Sequence, residues 1–112
     1  MKIPYSLISL NMSKLNINNA EKITSGRKAV AVTGTAIALS ATSISCFTVL
    51  VSASPNNSAI IYVGDSAVDD TAGSENGTPL QPNEKVSIDI DDVSKLYING
   101  TAGDVLMYNA LN

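Results

Sequence analysis

Residues 46–53, with the sequence CFTVLVSA, decide the predicted fold of this chain. Apolar side chains recur there at every second position, namely Phe47, Val49, Val51 and Ala53. A period of two is typical of a β-strand that buries one of its faces. The stretch therefore predicts a strand in the core of the domain.

Short apolar runs of the same kind lie on both sides of this strand. They cover residues 29–32, 36–39, 60–63, 86–90, 96–98 and 105–108. Turn-forming Gly, Pro, Asn, Asp and Ser separate the runs, and residues 65–83 form the longest polar connection. Six to seven short strands without an amphipathic helix predict an all-β fold, either a small antiparallel β-sandwich or a jelly-roll-like barrel.

The charged residues divide the chain into two parts. Residues 29–112 are acidic, whereas residues 1–28 contain a single acid, Glu21, and are rich in Asn and Ser. We therefore predict a basic, extended N-terminal arm over residues 1–28, before a β-sandwich body over residues 29–112. The predicted partner-binding residues of the arm are its cations, Lys2, Lys14, Lys22, Arg27 and Lys28. Met12 offers an alternative start that would shorten this arm.

The uncharged stretch 29–64 is long enough to span a bilayer and follows two cations. Frequent Thr, Ser and Gly interrupt it, so that it lacks a continuous run of about 18 apolar residues. Residues 3–10 are interrupted by Pro4, Ser6 and Ser9, unlike the core of a signal peptide. We predict strands here, and no membrane partner.

The residues that commonly perform catalysis are scarce. The chain has no His and a single Cys, so His-based catalysis, a disulfide and a thiolate zinc site are excluded. Asp89 and Asp91 alternate with apolar residues, as solvent-facing strand residues do, although with Asp92 and Asp104 they could form a calcium site or a carboxylate pair. Cys46 is predicted to be a buried structural thiol. We predict a protein that is not an enzyme and has no cofactor or metal.

Two classes of partner remain to be weighed. Nucleic acid is disfavoured because the body is acidic and the arm carries a net charge of only +4. Tyr62, Tyr97 and Tyr108 could form a stacking platform for sugars, although tyrosines in strands are more often core residues. The core is modest, so we also expect a homo-oligomer, such as a trimer or a higher ring.

Several segments in one order resemble small virion proteins of tailed bacteriophages. They are residues 27–40, Cys46 with the strand 49–53, and residues 61–65, 80–84 and 88–104. The resemblance covers roughly residues 27–110. Where members more often have Pro-Gly-Glu, this chain has Pro82-Asn83-Glu84, and Asn also tolerates the positive φ of such a turn.

The resemblance implies a small β domain in the phage head or tail. The favoured hypothesis is a capsid decoration, cement or minor capsid subunit, assembled in the bacterial cytoplasm, whose body and arm bind the major capsid protein or neighbouring subunits. The alternative is a receptor-binding or carbohydrate-binding module of a tail or fibre, with tyrosines beside the loop 65–83. No binding residue is transferred from the family, since the shared pattern marks scaffold positions.

Overall fold

The structure, a computed structural model, describes residues 21–112. Lys2 and Lys14 of the predicted arm lie outside the described residues. The regular secondary structure of the described chain is all β apart from one 3-10 helix over Val93–Lys95. The strands are β1 (Ile23–Ala29), β2 (Ile37–Ala38), β3 (Thr48–Ala53), β4 (Ile61–Gly64), β5 (Thr78–Leu80), β6 (Lys85–Asp89), β7 (Tyr97–Asn99) and β8 (Val105–Leu111).

The strands form two antiparallel sheets of four strands each. Sheet A has the order β1-β8-β3-β6, and sheet B has the order β2-β7-β4-β5. Apolar side chains of both sheets form one buried cluster between them. The predicted all-β sandwich is confirmed. The described residues contain eight strands rather than six or seven.

Strand β3 has the burial pattern that its sequence predicts. Val49, Val51 and Ala53 are buried, and the residues between them are half-buried on the outer face. The prediction is wrong for Phe47, which precedes the strand and is 55% exposed. Cys46 is buried in its place, and its thiol donates to the Ile90 carbonyl at 3.2 Å. Cys46 therefore fills the core at this end of sheet A.

Strand β1 begins within the segment that the sequence predicts as an arm. It pairs with β8 along its whole length, from Ile23 opposite Leu111 to Ala29 opposite Val105. The boundary predicted between residues 28 and 29 thus falls inside a strand, and the run predicted at 29–32 continues into a turn. The sequence ITSGRKA is a weak strand signal because β1 is an edge strand with only alternate positions half-buried.

The loop between β4 and β6 is more ordered than its composition predicts. Val68 is buried, and the side-chain amide of Asn99 donates to its carbonyl at 3.1 Å, which fastens the loop to β7. Strand β5 also lies within this segment, as an edge strand that accommodates Pro79. Asn83 has φ of 75°, which confirms the turn expected at this position.

A polar anchor joins the turn after β3 to the start of β8. The buried carboxylate of Asp104 accepts hydrogen bonds from the backbone and hydroxyl of Ser58 and from the backbone of Ala59. The Asn57 side chain pairs with both backbone groups of Val105, at 2.8 and 3.0 Å. These bonds satisfy the buried polar groups of Asp104 and Val105, which would otherwise destabilise the start of β8.

The uncharged stretch 29–64 forms strands and turns, including β2, β3 and β4. Between residues 21 and 112, no helix has the length and apolar character needed to cross a bilayer.

Gly26 provides a test of how tightly β1 packs. A Cβ at this position would lie 2.3 Å from the ring of Tyr108, which packs directly over the glycine. We expect Gly26→Ala to lower the free energy of unfolding by about 1 to 3 kcal/mol, because the ring must move out of the core. Urea denaturation measures this change.

The neighbouring exposed residue supplies the control for this experiment. Arg27→Ala should change the free energy of unfolding by less than about 0.5 kcal/mol. A Gly26→Ala protein as stable as Arg27→Ala would contradict the packing of β1 against β8.

Candidate functional site

The cations predicted to bind a partner do not lie together. Lys22 is exposed just before β1, Arg27 is exposed on the outer face of sheet A, and Lys28 lies half-buried on the opposite side of the strand. Successive side chains of a strand point to opposite faces, which separates Arg27 from Lys28. A continuous basic strip over the described part of the arm is therefore excluded.

The outer face of sheet A combines apolar and basic side chains, and we call it the apolar-basic face. Met107 lies near its centre and is 36% exposed. Arg27 pairs directly with Met107, and Lys85 lies beyond Ser52 in the same cross-strand row. The remaining apolar members are Ile23, Leu50 and Leu111, and one acid, Asp89, lies on the same face in the edge strand β6. Such a surface fits a partner that is apolar at its centre and acidic around it.

A groove of about 490 Å³ lies at the end of the sandwich where residue 21 enters the fold. Its lining consists of Glu21, Lys22, Phe47 and Asn112. Phe47 lies outside the core, so its ring is available for contact with another molecule. The unexpected exposure of Phe47 thus adds an aromatic residue to this groove.

The acidic residues do not assemble into a catalytic or metal centre. Asp89 accepts a hydrogen bond from Thr48, and Asp91 forms an exposed ion pair with Lys95 at 2.9 Å. Asp104 is buried at the start of β8, at the opposite end of sheet A from Asp89. Throughout residues 21–112, no group of three or more Cys, Asp or Glu side chains could hold a metal ion.

Asp92 caps the 3-10 helix and joins it to the segment before β3. Its carboxylate accepts from the hydroxyl of Ser43, from the backbone and hydroxyl of Ser94, and from the backbone of Ile44. These hydrogen bonds, with the Ser43 hydroxyl as the strongest contributor, hold the pKa of Asp92 far below its usual range. The carboxylate therefore has a structural role.

Cys46 is buried, as its sequence context predicts. Burial raises the pKa of the thiol, and the negative charges of Asp92 and Asp91 raise it further. Little of it is thiolate at neutral pH, which is the opposite of what a nucleophile requires.

The three tyrosines do not form one platform. Tyr108 is buried between the sheets, while Tyr62 and Tyr97 are half-buried on the outer side of sheet B. Tyr62 alone of the three lines a groove of about 510 Å³, which we call the Tyr62 groove. The remaining lining residues are Ser58, Ala59, Ile60, Asp70, Gln81, Pro82 and Thr101.

Sequence reasoning identified Tyr62 but not the polar residues around it. Asp70, Gln81 and Thr101 come from three separate connections, and only the strand order of sheet B brings them beside Tyr62. The expected position of a tyrosine beside the loop 65–83 was the one available signal. The individual partners carry no motif that marks them in the sequence.

Comparison with known proteins leaves the function open. No protein family, curated protein or solved structure matches this chain. The surfaces described above therefore carry the functional argument.

The hydrogen bonds to the Asp92 carboxylate predict that the free energy of unfolding depends on pH. Because its pKa is lower in the folded than in the unfolded chain, it stabilises the fold fully above about pH 4 and progressively less as the pH falls below that. We expect Asp92→Asn to be less stable than the unmodified protein at pH 7, with the difference shrinking towards pH 2. Thermal unfolding across this range measures it.

The control removes a charge that caps a different turn. Glu75 lies in the exposed loop between β4 and β5. Glu75→Gln should show the same dependence of thermal stability on pH as the unmodified protein. A constant difference between Asp92→Asn and the unmodified protein from pH 7 to pH 2 would contradict the structural role of this carboxylate.

Proposed function

We propose that this chain is a structural protein of a tailed-phage particle, either a decoration or cement subunit or a minor capsid subunit. The observation that carries the proposal is the apolar-basic face, which leaves Ile23 and Met107 exposed on one side of a sandwich whose core is complete without them. Exposed apolar residues grouped with charged neighbours are typical of protein interaction surfaces. The sequence resemblance to small virion proteins supports the same conclusion.

The distribution of charge favours a defined orientation on the particle. Arg27 and Lys85 outnumber the one acid, Asp89, on the apolar-basic face, whereas the loop between β4 and β5 carries four acids and no basic residue. These acids are Asp65, Asp69, Asp70 and Glu75. An acidic capsid surface would attract the first side and repel the second, and would therefore orient the subunit.

The mechanism of stabilisation is added contact area. Each copy would bind the major capsid protein or a neighbouring subunit weakly, and many copies on one shell would together resist its expansion. Copies that associate into a trimer or a higher ring would strengthen this effect by linking several capsid subunits. The basic segment before β1 would extend to an adjacent subunit.

The direct test is the composition of the particle. Virions would be purified from cells infected with the phage that encodes the chain, and the copy number measured by quantitative mass spectrometry and located by cryo-electron microscopy. A fixed number of copies on the head supports the proposal. Absence from purified virions would overturn it, and a position on the tail or a fibre would favour the carbohydrate-binding alternative.

Deletion of residues 1–20 tests the arm without damaging the sandwich. The shortened chain keeps β1 and the hydrogen bonds from the backbone of Glu21 and Lys22 to the Asn112 carbonyl, so we expect it to fold. Its occupancy on particles should fall because the basic contacts are lost. A shortened chain that reaches full occupancy would refute the proposed role of the arm.

A single substitution tests the apolar-basic face. Met107→Glu places a negative charge between Arg27 and Lys85, and we expect particle occupancy to fall by about tenfold, which a loss of only about 1.4 kcal/mol of binding energy produces. Co-sedimentation with particles that lack the protein measures the effect.

The matched control is Val32→Glu, because Val32 is an exposed apolar residue in the turn after β1, outside this face. It should bind as well as the unmodified protein. Equal occupancy of the Met107→Glu protein would exclude this face as the docking surface.

A further inference from the structure

We infer that the Tyr62 groove on sheet B is a binding site for a neutral sugar. The inference does not depend on the proposed role in the particle. The groove has a volume of about 510 Å³, within the range of sites that hold small ligands. It lies at the side of the molecule away from the apolar-basic face, so both surfaces are accessible at once.

The lining of the groove offers hydrogen-bonding groups that the fold itself does not use. The carboxylate of Asp70, the side-chain amide of Gln81, and the hydroxyls of Tyr62 and Thr101 make no hydrogen bond with another residue of the described chain, 21–112. A carboxylate accepts two or more hydrogen bonds, while amide and hydroxyl groups both donate and accept. Adjacent hydroxyls of a sugar match this combination.

The same groove presents apolar surface beside these polar groups. Ile60, Pro82 and the ring of Tyr62 contribute carbon atoms to its walls. A pyranose ring has an apolar face of C–H groups and a rim of hydroxyls, so it satisfies both kinds of surface together. An aliphatic ligand would leave the polar groups unpaired, at a cost in binding energy.

The charge of the groove excludes an anionic ligand. Asp70 is its one charged lining residue, and Asp69 and Glu75 lie in the same loop. Of the described residues that line the groove, none is basic. Phosphate, carboxylate and nucleic acid would therefore be repelled. A single carboxylate among amide and hydroxyl groups favours a neutral ligand with several hydrogen-bond donors.

The position of Asp70 is set by its neighbours in the loop. Asp69 forms a β-bridge with Asn76, and its carboxylate accepts from the backbone of Thr71 at 2.9 Å. On the other side, buried Val68 is held by Asn99, which pairs with Tyr62 across β7 and β4. The backbone on both sides of Asp70 is thus fixed at the wall of the groove before any ligand binds, which reduces the entropy lost on binding.

The test is amide NMR of the full chain titrated with neutral sugars. The probes are the methyl glycosides of glucose, galactose, mannose, rhamnose and N-acetylglucosamine, each up to about 50 mM, because so small a contact limits affinity to the millimolar range. We expect at least one probe to produce saturable shifts at the amides of Tyr62, Asp70, Gln81 and Thr101. The absence of shifts at these amides with all five probes would overturn the inference.

Variants separate a specific site from general sugar effects. Asp70→Ala should weaken binding by about tenfold, the loss expected for hydrogen bonds to a charged group. Tyr62→Phe keeps the ring but removes one hydroxyl of the groove, and it should weaken binding by about threefold, less than Asp70→Ala does, because a neutral hydrogen bond is weaker than one to a charged group. Asp91→Asn, which removes a carboxylate outside the groove, should bind with unchanged affinity.

Two results would overturn the assignment even if some binding occurs. Unchanged affinity in Asp70→Ala would exclude the groove as the site. Shifts at the groove amides with a tetralysine peptide, in the absence of shifts with the sugars, would identify a site for basic peptides instead.

Discussion

Strand β8 lies between β1 and β3, and its inward side chains Leu106, Tyr108 and Ala110 contribute to the core between the two sheets. Pairing on both sides leaves β8 without a free edge, so its backbone groups are satisfied within the sheet. The packing of Tyr108 over Gly26 requires β1 to lie at its side. The same strand begins at the buried Asp104, which anchors the turn after β3. Both proposed surfaces depend on this arrangement. The outer face of β8 forms part of the apolar-basic face, and Asp104 holds Ser58 and Ala59, which line the Tyr62 groove.

Much of the sandwich could be predicted because most of its strands hold apolar residues at their inward positions. Strands β3 and β6 alternate these residues with others along the chain, while β4 and β7 lie in short apolar runs. Strands β1 and β5 were not predicted because their inward positions hold few apolar residues: those of β1 are Thr24, Gly26 and Lys28, and β5 buries only Leu80. Phe47 was misplaced because β3 begins only at Thr48, so the alternation does not extend back to residue 47, and Cys46 is buried there instead.

The candidate sites were less predictable than the fold, because they depend on which residues meet in space. Asp89, Asp91 and Asp104 are close in the sequence but are used separately, in a surface hydrogen bond, an ion pair and a buried cap. Conversely, Tyr62 and Asp70 meet Gln81 and Thr101 only through the order of strands in sheet B. The charge imbalance between the two parts of the chain is visible in the sequence. The separation of Arg27 from Lys28 could be inferred only once both residues were known to lie in strand β1.

The two ends of the described chain are joined by hydrogen bonds. The backbone amides of Glu21 and Lys22 donate to the carbonyl of Asn112, and the amide of Asn112 donates to that of Lys22. A short peptide linking residue 112 to residue 21 would therefore close the chain into a ring at small entropic cost. New ends could then be opened at the exposed tip of the loop near Gly73, where an added side chain would meet no other residue. The sandwich is accordingly a natural candidate for circular permutation, in which the order of strands along the chain changes while their arrangement in space is kept.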